Sequence, residues 1–125
     1  MIGNTDWKAM PISKNVKLFK KDTENTYRVV PFDFDFSGLV AAPYAVPTSS
    51  LGQRNVRHRI FQGIENLSNI DEATKNLFLA KKKKILRYVK RFTLLARPSR
   101  KDIRGFLEPF FDELESITFE NSEGK

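Results

Sequence analysis

Residues 27–47 read YRVVPFDFDFSGLVAAPYAVP, an apolar run interrupted by Asp33 and Asp35. If residues 29–36 form an extended strand, the two aspartates share one face and the three phenylalanines share the other. The Ser37-Gly38 step that follows favours a sharp turn. Two carboxylates at a strand end suit a hard divalent cation that is also held by a phosphate. The alternative is that both acids cap a loop or face water on an edge strand.

The segment before this run, residues 2–19, reads IGNTDWKAMPISKNVKLF and places Asp6 and Asn15 in a loop ahead of a strand-like stretch. The order Asp, Asn, hairpin, Asp is a layout used in phosphoryl transfer. Oxygen donors from these positions favour magnesium or manganese over zinc. Two like charges on one strand face repel, so without a cation or basic side chain between them the pKa of Asp33 or Asp35 should be raised.

The composition limits the classes of protein that the chain can belong to. Its 125 residues, 40% apolar with eleven Phe, predict a single domain over residues 1–125 with a modest core. The absence of cysteine excludes disulfides and thiolate metal sites, and a single histidine, His58, argues against zinc. No apolar run is long enough to span a bilayer and the N-terminus lacks an export signal, so a soluble chain is predicted.

The net charge of +7 is concentrated in the middle of the chain. Residues 51–101 hold fourteen basic and three acidic groups, an excess of eleven positive charges. This excess predicts either a solvated helix face, the favoured interpretation, or a basic interaction module in residues 53–101 that binds nucleic acid or an acidic partner. In the lysine run 81–84 one side chain must point toward the buried side of its helix and extend its ammonium to water.

The periodicity predicts a mostly helical α+β fold, with a β-hairpin packed on about three helices. Strands are expected at 15–20 and 27–36, followed by an ordered apolar loop to 52. Helices are expected from Gln53 to about Leu67, from Asn69 or Asp71 to about Thr93, and from Ser99 to about Ile117. Pro98 is expected to stop the second helix, and Pro109 to kink or split the third. We therefore expect three regions. Residues 1–52 form a catalytic-loop-like segment, a hairpin and an apolar loop. Residues 53–118 form the helical part, and residues 119–125 form a frayed tail.

Four motifs, IGNTDW, KNVKLF, VPFDFDFSGLVAAPYAVP and VRHRIFQG, resemble in that order a family of uncharacterised bacterial proteins near the CotH-type and HipA-type protein-kinase-like folds. The resemblance covers nearly the whole chain and implies the C-terminal lobe of a kinase-like phosphotransferase. It also implies a truncated chain that is inactive alone, because the family places a further N-terminal half, usually exported, before the segment like MIGNTDW. Export or an envelope location is therefore expected only if that half is present.

The resemblance also implies roles for individual residues. Asp6 would orient the attacking hydroxyl, Asn15 and Asp33 would hold the metal, Asp35 would be an auxiliary ligand and Lys8 would touch the transferring phosphate. The implied cofactor is Mg or Mn with ATP. The spacing from Asp6 to Asn15 is nine residues where protein kinases keep five, and no Gly-rich loop precedes it. The expected partner is the missing lobe, or a second copy of the chain, at an apolar surface formed by Ile2, Trp7, Met10, Val40 and Tyr44.

Overall fold

A computed structural model describes residues 1–8, 14–61 and 70–118, and shows in them an α+β chain with one hairpin, a single-turn 3-10 helix at Ser49–Leu51 and two α-helices. The chain forms two compact units, residues 2–60 with the strands and the residues from Phe61 onward with the helices. The α+β class and the hairpin are confirmed, whereas the third helix is not found among the described residues. Neither helix in this part of the chain combines the length and apolar character needed to cross a membrane.

The hairpin pairs β1, Val16–Lys20, with β2, Tyr27–Pro31, in an antiparallel register that sets Val16 opposite Pro31. The predicted extension of the second strand to Phe36 is wrong. Pairing reaches Phe32, whose N–H donates to the Asn15 carbonyl at 2.9 Å. Asp33 then adopts a left-handed backbone with φ of 57°, which ends the extended conformation. The two aspartates therefore do not share a strand face by alternation.

Helix α1, Glu72–Arg91, begins directly after an N-cap residue, Asp71. The Asp71 carboxylate accepts hydrogen bonds from the Thr74 N–H at 2.8 Å and from the Thr74 hydroxyl at 2.7 Å, which confirms Asp71 as its N-cap. Glu72 in the first turn and the basic pair Lys90 and Arg91 in the last turn complement the helix dipole. The helix ends at Arg91, two residues before the predicted end.

Helix α2, Arg97–Ser116, corrects two predictions about proline. Pro98 lies in the first turn of α2 rather than stopping the helix before it, because a missing N–H costs nothing there. The predicted start at Ser99 is therefore wrong by two residues. Pro109 lies inside this one helix, so it does not split it. Its ring removes the bond to the Gly105 carbonyl, and both residues are exposed, so water can satisfy that oxygen.

The buried core of the helical unit comes from one face of α2: Phe106, Leu107, Phe110, Phe111 and Leu114. Phe78 of α1 meets Phe110 edge to face, with ring centroids 5.5 Å apart. Lys75 donates to the Ile117 carbonyl at one end of the pair, and Arg100 donates to the Lys90 carbonyl at 3.0 Å at the other. The two helices are therefore antiparallel.

Lys82 is the member of the lysine run that points toward the buried side, as predicted. Its ammonium lies 5.8 Å from the centre of the Phe111 ring, 2.9 Å from Glu115 and 3.3 Å from Asp112. The Glu115 carboxylate, with a smaller contribution from Asp112, raises the pKa of Lys82. Its side chain is only 22% exposed, so the charge stays at the edge of the core by pairing with α2.

The predicted helix from Gln53 is wrong over residues 53–61, which form turns, bends and irregular chain, while residues 62–67 lie outside the described residues. The buried Gln53 side chain explains the difference. Its oxygen accepts from the Thr48 N–H at 2.8 Å, and its nitrogen donates to the carbonyls of His58 at 2.9 Å and Val56 at 3.3 Å. These bonds fold the backbone around one amide, and helical spacing of the apolar residues does not reveal them.

Candidate functional site

The N-terminal segment, residues 2–8, is fastened to the acidic loop, residues 32–38, by backbone pairing. Asn4 forms an isolated antiparallel bridge with Ser37, and the Gly38 N–H donates to the Gly3 carbonyl at 3.0 Å. Ser37 is fully buried and Gly38 is buried as well. The two motifs that the sequence places 27 residues apart, those of Asp6 and Asp33, therefore lie side by side.

Two side chains of the N-terminal segment hold the backbone of the acidic loop. The Asn4 side-chain oxygen accepts from the Asp6 N–H at 2.8 Å, and its nitrogen donates to the Asp33 carbonyl at 3.2 Å. The Trp7 indole N–H donates to the carbonyls of Phe32 at 2.7 Å and Asp33 at 3.0 Å. The Trp7 ring also meets Phe34 edge to face, with centroids 4.8 Å apart. These contacts fix the position of Asp33 relative to Asp6.

The Asp6 carboxylate receives two further groups. The Lys14 ammonium forms an ion pair with one oxygen, and the Asn15 side-chain nitrogen donates to the other at 2.6 Å. Lys14 reaches this place because its backbone pairs with Lys8 in both directions, at 3.0 and 2.7 Å. Only 23% of the Asp6 side chain is exposed, whereas 63% of that of Lys14 is. The partly buried Asp6 carboxylate is thus held between the exposed Lys14 ammonium and the Asn15 side-chain amide.

Asn15 and Asp33 have left-handed backbones, with φ of 52° and 57°. Such conformations are uncommon outside glycine, and Asn and Asp tolerate them better than most residues. They persist where surrounding contacts impose them, and they are frequent at functional sites. Here the Phe32–Asn15 backbone bond and the Asn4 and Trp7 side chains impose them. Two of the predicted metal ligands therefore occupy left-handed positions, and Ala41, which has no predicted role, is a third such residue among those described, with φ of 48°.

Asp33 and Asp35 lie within hydrogen-bonding reach of each other. This hydrogen bond is the main cause that raises the pKa of Asp33, and it lowers the pKa of Asp35. The Asp6 charge adds to the rise at Asp33. The Tyr44 hydroxyl donates to Asp35 at 3.1 Å, which stabilises the Asp35 carboxylate and raises the pKa of the Tyr44 phenol. The predicted rise in the pKa of one acid falls on Asp33, with the hydrogen bond as its largest cause and the charge of Asp35 as a smaller one.

The structure thus brings four predicted site residues into one region: Asp6, Asn15, Asp33 and Asp35. Lys8 contributes its backbone pairing with Lys14, and its side chain is exposed. Sequence reasoning missed four contributors, namely Asn4, Trp7, Lys14 and Tyr44. Asn4 had a signal, because Asn two residues before Asp6 is typical of a turn in which the amide accepts a backbone N–H. No local pattern identifies the other three.

The acids of this region are not a preformed metal cage. Within residues 1–8, 14–61 and 70–118, no three His, Cys, Asp or Glu side chains come together to hold a metal ion. His58 takes part in a turn instead, where its Nδ1 accepts from the Arg54 N–H at 3.2 Å. Carboxylate and amide oxygens remain the donor type that Mg²⁺ and Mn²⁺ prefer, and such ions usually take further ligands from phosphate and water.

Apolar side chains are exposed on the same unit. Val40 is 53% and Tyr44 66% exposed, whereas Ile2 and Trp7 are half-buried and Met10 lies outside the described residues. The hairpin adds others on its two faces: Leu18, Phe19, Tyr27, Val29 and Val30. These side chains lie on more than one face of the unit, and only a patch in which they are contiguous would indicate a surface that meets another protein.

Comparison with models of known protein families, with curated proteins and with solved structures finds no match to this chain. The roles of the residues therefore rest on the order of the motifs and on the geometry described above. This geometry defines two loops that hydrogen bonds hold together, one with Asp6 and the other with Asp33 and Asp35.

Proposed function

We propose that residues 2–60 carry the catalytic-loop and metal-binding part of a kinase-like phosphotransferase. The observation that supports this most strongly is the convergence of Asp6, Asn15 and Asp33, three residues from separate segments that a phosphoryl-transfer site needs together. Asn4 connects the backbone of Asp6 to that of Asp33, and Asn15 donates to Asp6 at 2.6 Å. The order of these residues alone did not require them to meet.

In this proposal Asp6 orients and deprotonates the hydroxyl that attacks the phosphate. A base must be within hydrogen-bonding reach of the proton that it takes, so one Asp6 oxygen has to be free when substrate is present. Lys14 is the group that can leave, because it is exposed, whereas Asn15 is half-buried and tied to the hairpin. Lys14 released from Asp6, or the exposed Lys8, would then lie near a transferring phosphate.

The metal ligands proposed are Asp33 and Asn15, with Asp35 as an auxiliary. A bound Mg²⁺ or Mn²⁺ would neutralise charge on the phosphates of ATP during transfer. Asp33 must be deprotonated when the ion binds, because a metal ligand must be deprotonated, and its raised pKa makes this harder as pH falls. Two or three protein ligands give weak binding of the ion alone, and the phosphates of a nucleotide would supply the others.

The chain alone is not expected to transfer phosphate, because its sequence has no Gly-rich loop or strand lysine to seat ATP. The partner proposed is an N-terminal lobe, or a second copy of the chain, that covers the exposed apolar surface around Val40, Tyr44 and the hairpin. A mixture with such a lobe should restore nucleotide binding. Light scattering of the chain alone shows whether self-association occurs instead.

The experiment that tests the metal site is a titration with Mn²⁺ followed by NMR. Backbone signals around Asp33 and Asp35 should broaden before any others, and the double variant D33N/D35N should abolish this. Asp22→Asn, in the turn of the hairpin, is the matched control and should leave the broadening unchanged. Broadening that appears first near Glu113 or Glu115 would assign the cation to the acidic end of α2 and remove the support for a catalytic site.

A further inference from the structure

A second surface of the molecule, in the helical unit, carries a concentrated positive charge. A groove of about 870 Å³ lies between the end of α1 and the first half of α2. Five cationic side chains and one acid line it: Lys90, Arg97, Arg100, Lys101, Arg104 and Glu108. Pro98 and Gly105 complete the lining. Cations gathered in a groove focus a positive potential and attract anions.

Most of this charge is not neutralised within the described part of the chain. Glu108 pairs with Arg104 at 2.6 Å, and no described acid lies within ion-pair distance of Lys90, Arg97 or Lys101. Arg100 donates to the Lys90 carbonyl and keeps its full charge. The Arg104 Nε is buried and has no hydrogen-bond partner among the described residues. A buried donor of this kind costs free energy until an acceptor reaches it.

We propose that this groove binds the sugar-phosphate backbone of a nucleic-acid strand. Arg97, Lys101 and Arg104 follow one another at helical spacings of four and three residues, so they share a face of α2. Arg104 would exchange Glu108 for a phosphate when the strand binds. Seven residues of helix rise about 10.5 Å, and a strand in a duplex carries one charge per about 3.4 Å of axis, so the stripe spans about three phosphates. Guanidinium groups bind phosphate oxygens through two parallel hydrogen bonds, and the phosphates of a strand recur along one line as the cations of this stripe do.

The lining also indicates how the strand is recognised. Among the described residues that line the groove none is aromatic, so this lining offers bases no stacking platform. Contacts confined to phosphates carry no direct sequence information. The groove therefore binds strands without sequence preference, and binding weakens as salt rises because phosphate contacts release counterions.

Gly105 allows the groove to be blocked without any change of charge. A Cβ added at this residue would meet no atom within 4 Å, so a side chain can be introduced at this lining position without a clash at its first carbon. Leucine also favours a helix interior over glycine. Gly105→Leu thus distinguishes binding inside the groove, which it should weaken, from non-specific attraction of the strand to a basic protein, which it should not change.

The test is fluorescence anisotropy of a short labelled oligodeoxythymidine with the full chain. Three phosphate contacts on a single strand predict a slope of log K against log salt of about −2.1, so a fourfold rise in salt weakens binding about 18-fold. The double variant R97A/K101A should reduce the slope to about −0.7 and weaken binding about 25-fold at roughly 0.1 M salt. Gly105→Leu should weaken binding about tenfold or more at unchanged net charge.

The matched control is K81A/K84A, which removes two exposed lysines from the middle of α1 and should leave binding and slope unchanged. The helical circular dichroism of every variant must equal that of the parent chain. An equal loss in K81A/K84A, or undiminished binding by Gly105→Leu, overturns the proposal because net charge alone would then explain the affinity. Absence of oligonucleotide binding, or displacement of the strand by polyglutamate or by pyrophosphate at equal charge concentration, also overturns it.

Discussion

Replacing Lys14 by Met should strengthen the binding of Mn²⁺ to the acidic site. The Lys14 ammonium occupies one oxygen of Asp6, and a cation that approaches Asp6 and Asp33 must compete with it. An ion pair with one largely exposed partner contributes about 0.2–1 kcal/mol. Its removal should therefore raise the affinity about 1.4- to 5-fold. Loss of a positive charge beside a divalent cation acts in the same direction.

The affinity is measured from the electron paramagnetic resonance signal of free Mn²⁺ at neutral pH and constant ionic strength. Lys21→Met is the matched control, because Lys21 pairs with Glu24 at 3.4 Å in the turn of the hairpin and the variant loses the same charge. In an Asp6→Asn background the effect of Lys14→Met should become smaller, since the ion pair is already lost there and only the effect of the removed charge remains. An equal gain in Lys21→Met, or an undiminished gain with Asn at position 6, refutes the reasoning.

Three further predictions concern the core, the acid pair and the cap of α1. Phe110→Ala removes a side chain that is 2% exposed, so the free energy of unfolding measured with urea should fall by about 3–5 kcal/mol. The control, Leu77→Ala, removes a half-exposed side chain and should lower it by less than about 1 kcal/mol. Mn²⁺ affinity should fall as pH is lowered through the raised pKa of Asp33, since a ligand must be deprotonated, and Asp33→Asn should flatten this profile in the same titration. Hydrogen bonds from Thr74 lower the pKa of Asp71, so Asp71→Ala should lower the thermal midpoint. The Asp71 contribution is present above its unfolded pKa of about 3.9 and is lost as pH falls through the lower folded pKa, so the parent chain and the variant should converge in acid.

The helix starts show which parts of the fold are readable from sequence. Asp71 and Thr74 are three residues apart, and their hydrogen bonds lie within the segment that they cap, so inspection of the sequence finds them. Pro98 was misread because proline both ends helices and begins them, and only the position of the first turn distinguishes the two. The start of a helix is thus predictable from sequence when its capping residue has only one structural interpretation at that position.

The end of β2 and the segment after Gln53 were misread for a different reason. The left-handed backbone of Asp33 depends on Asn4 and Trp7, more than 25 residues earlier. The turns after Gln53 depend on a buried amide that binds Thr48 and His58. The spacing of apolar residues does not report such contacts, so it predicted a strand that continues to Phe36 and a helix that begins at Gln53. Tertiary hydrogen bonds decided both conformations.

The candidate site was half predictable on the same grounds. The order of Asp6, Asn15 and Asp33 indicated a common function, and the repulsion between Asp33 and Asp35 predicted a raised pKa before any geometry was known. The ion pair from Lys14 could not be predicted, because it depends on the backbone bridge to Lys8. Residues such as Lys14, which contact a candidate site residue through tertiary structure, are harder to infer from sequence than the candidate site residues themselves.

The indole of Trp7 makes the acidic loop visible to spectroscopy without a label. Trp7 is the only tryptophan in the chain, its N–H is bonded to the carbonyls of Phe32 and Asp33, and its ring touches Phe34. Emission from this ring depends on its hydrogen bonding and its exposure to water, so movement of the loop changes the colour and yield of fluorescence. A stopped-flow instrument could therefore follow each rearrangement of the loop in real time in the unmodified protein.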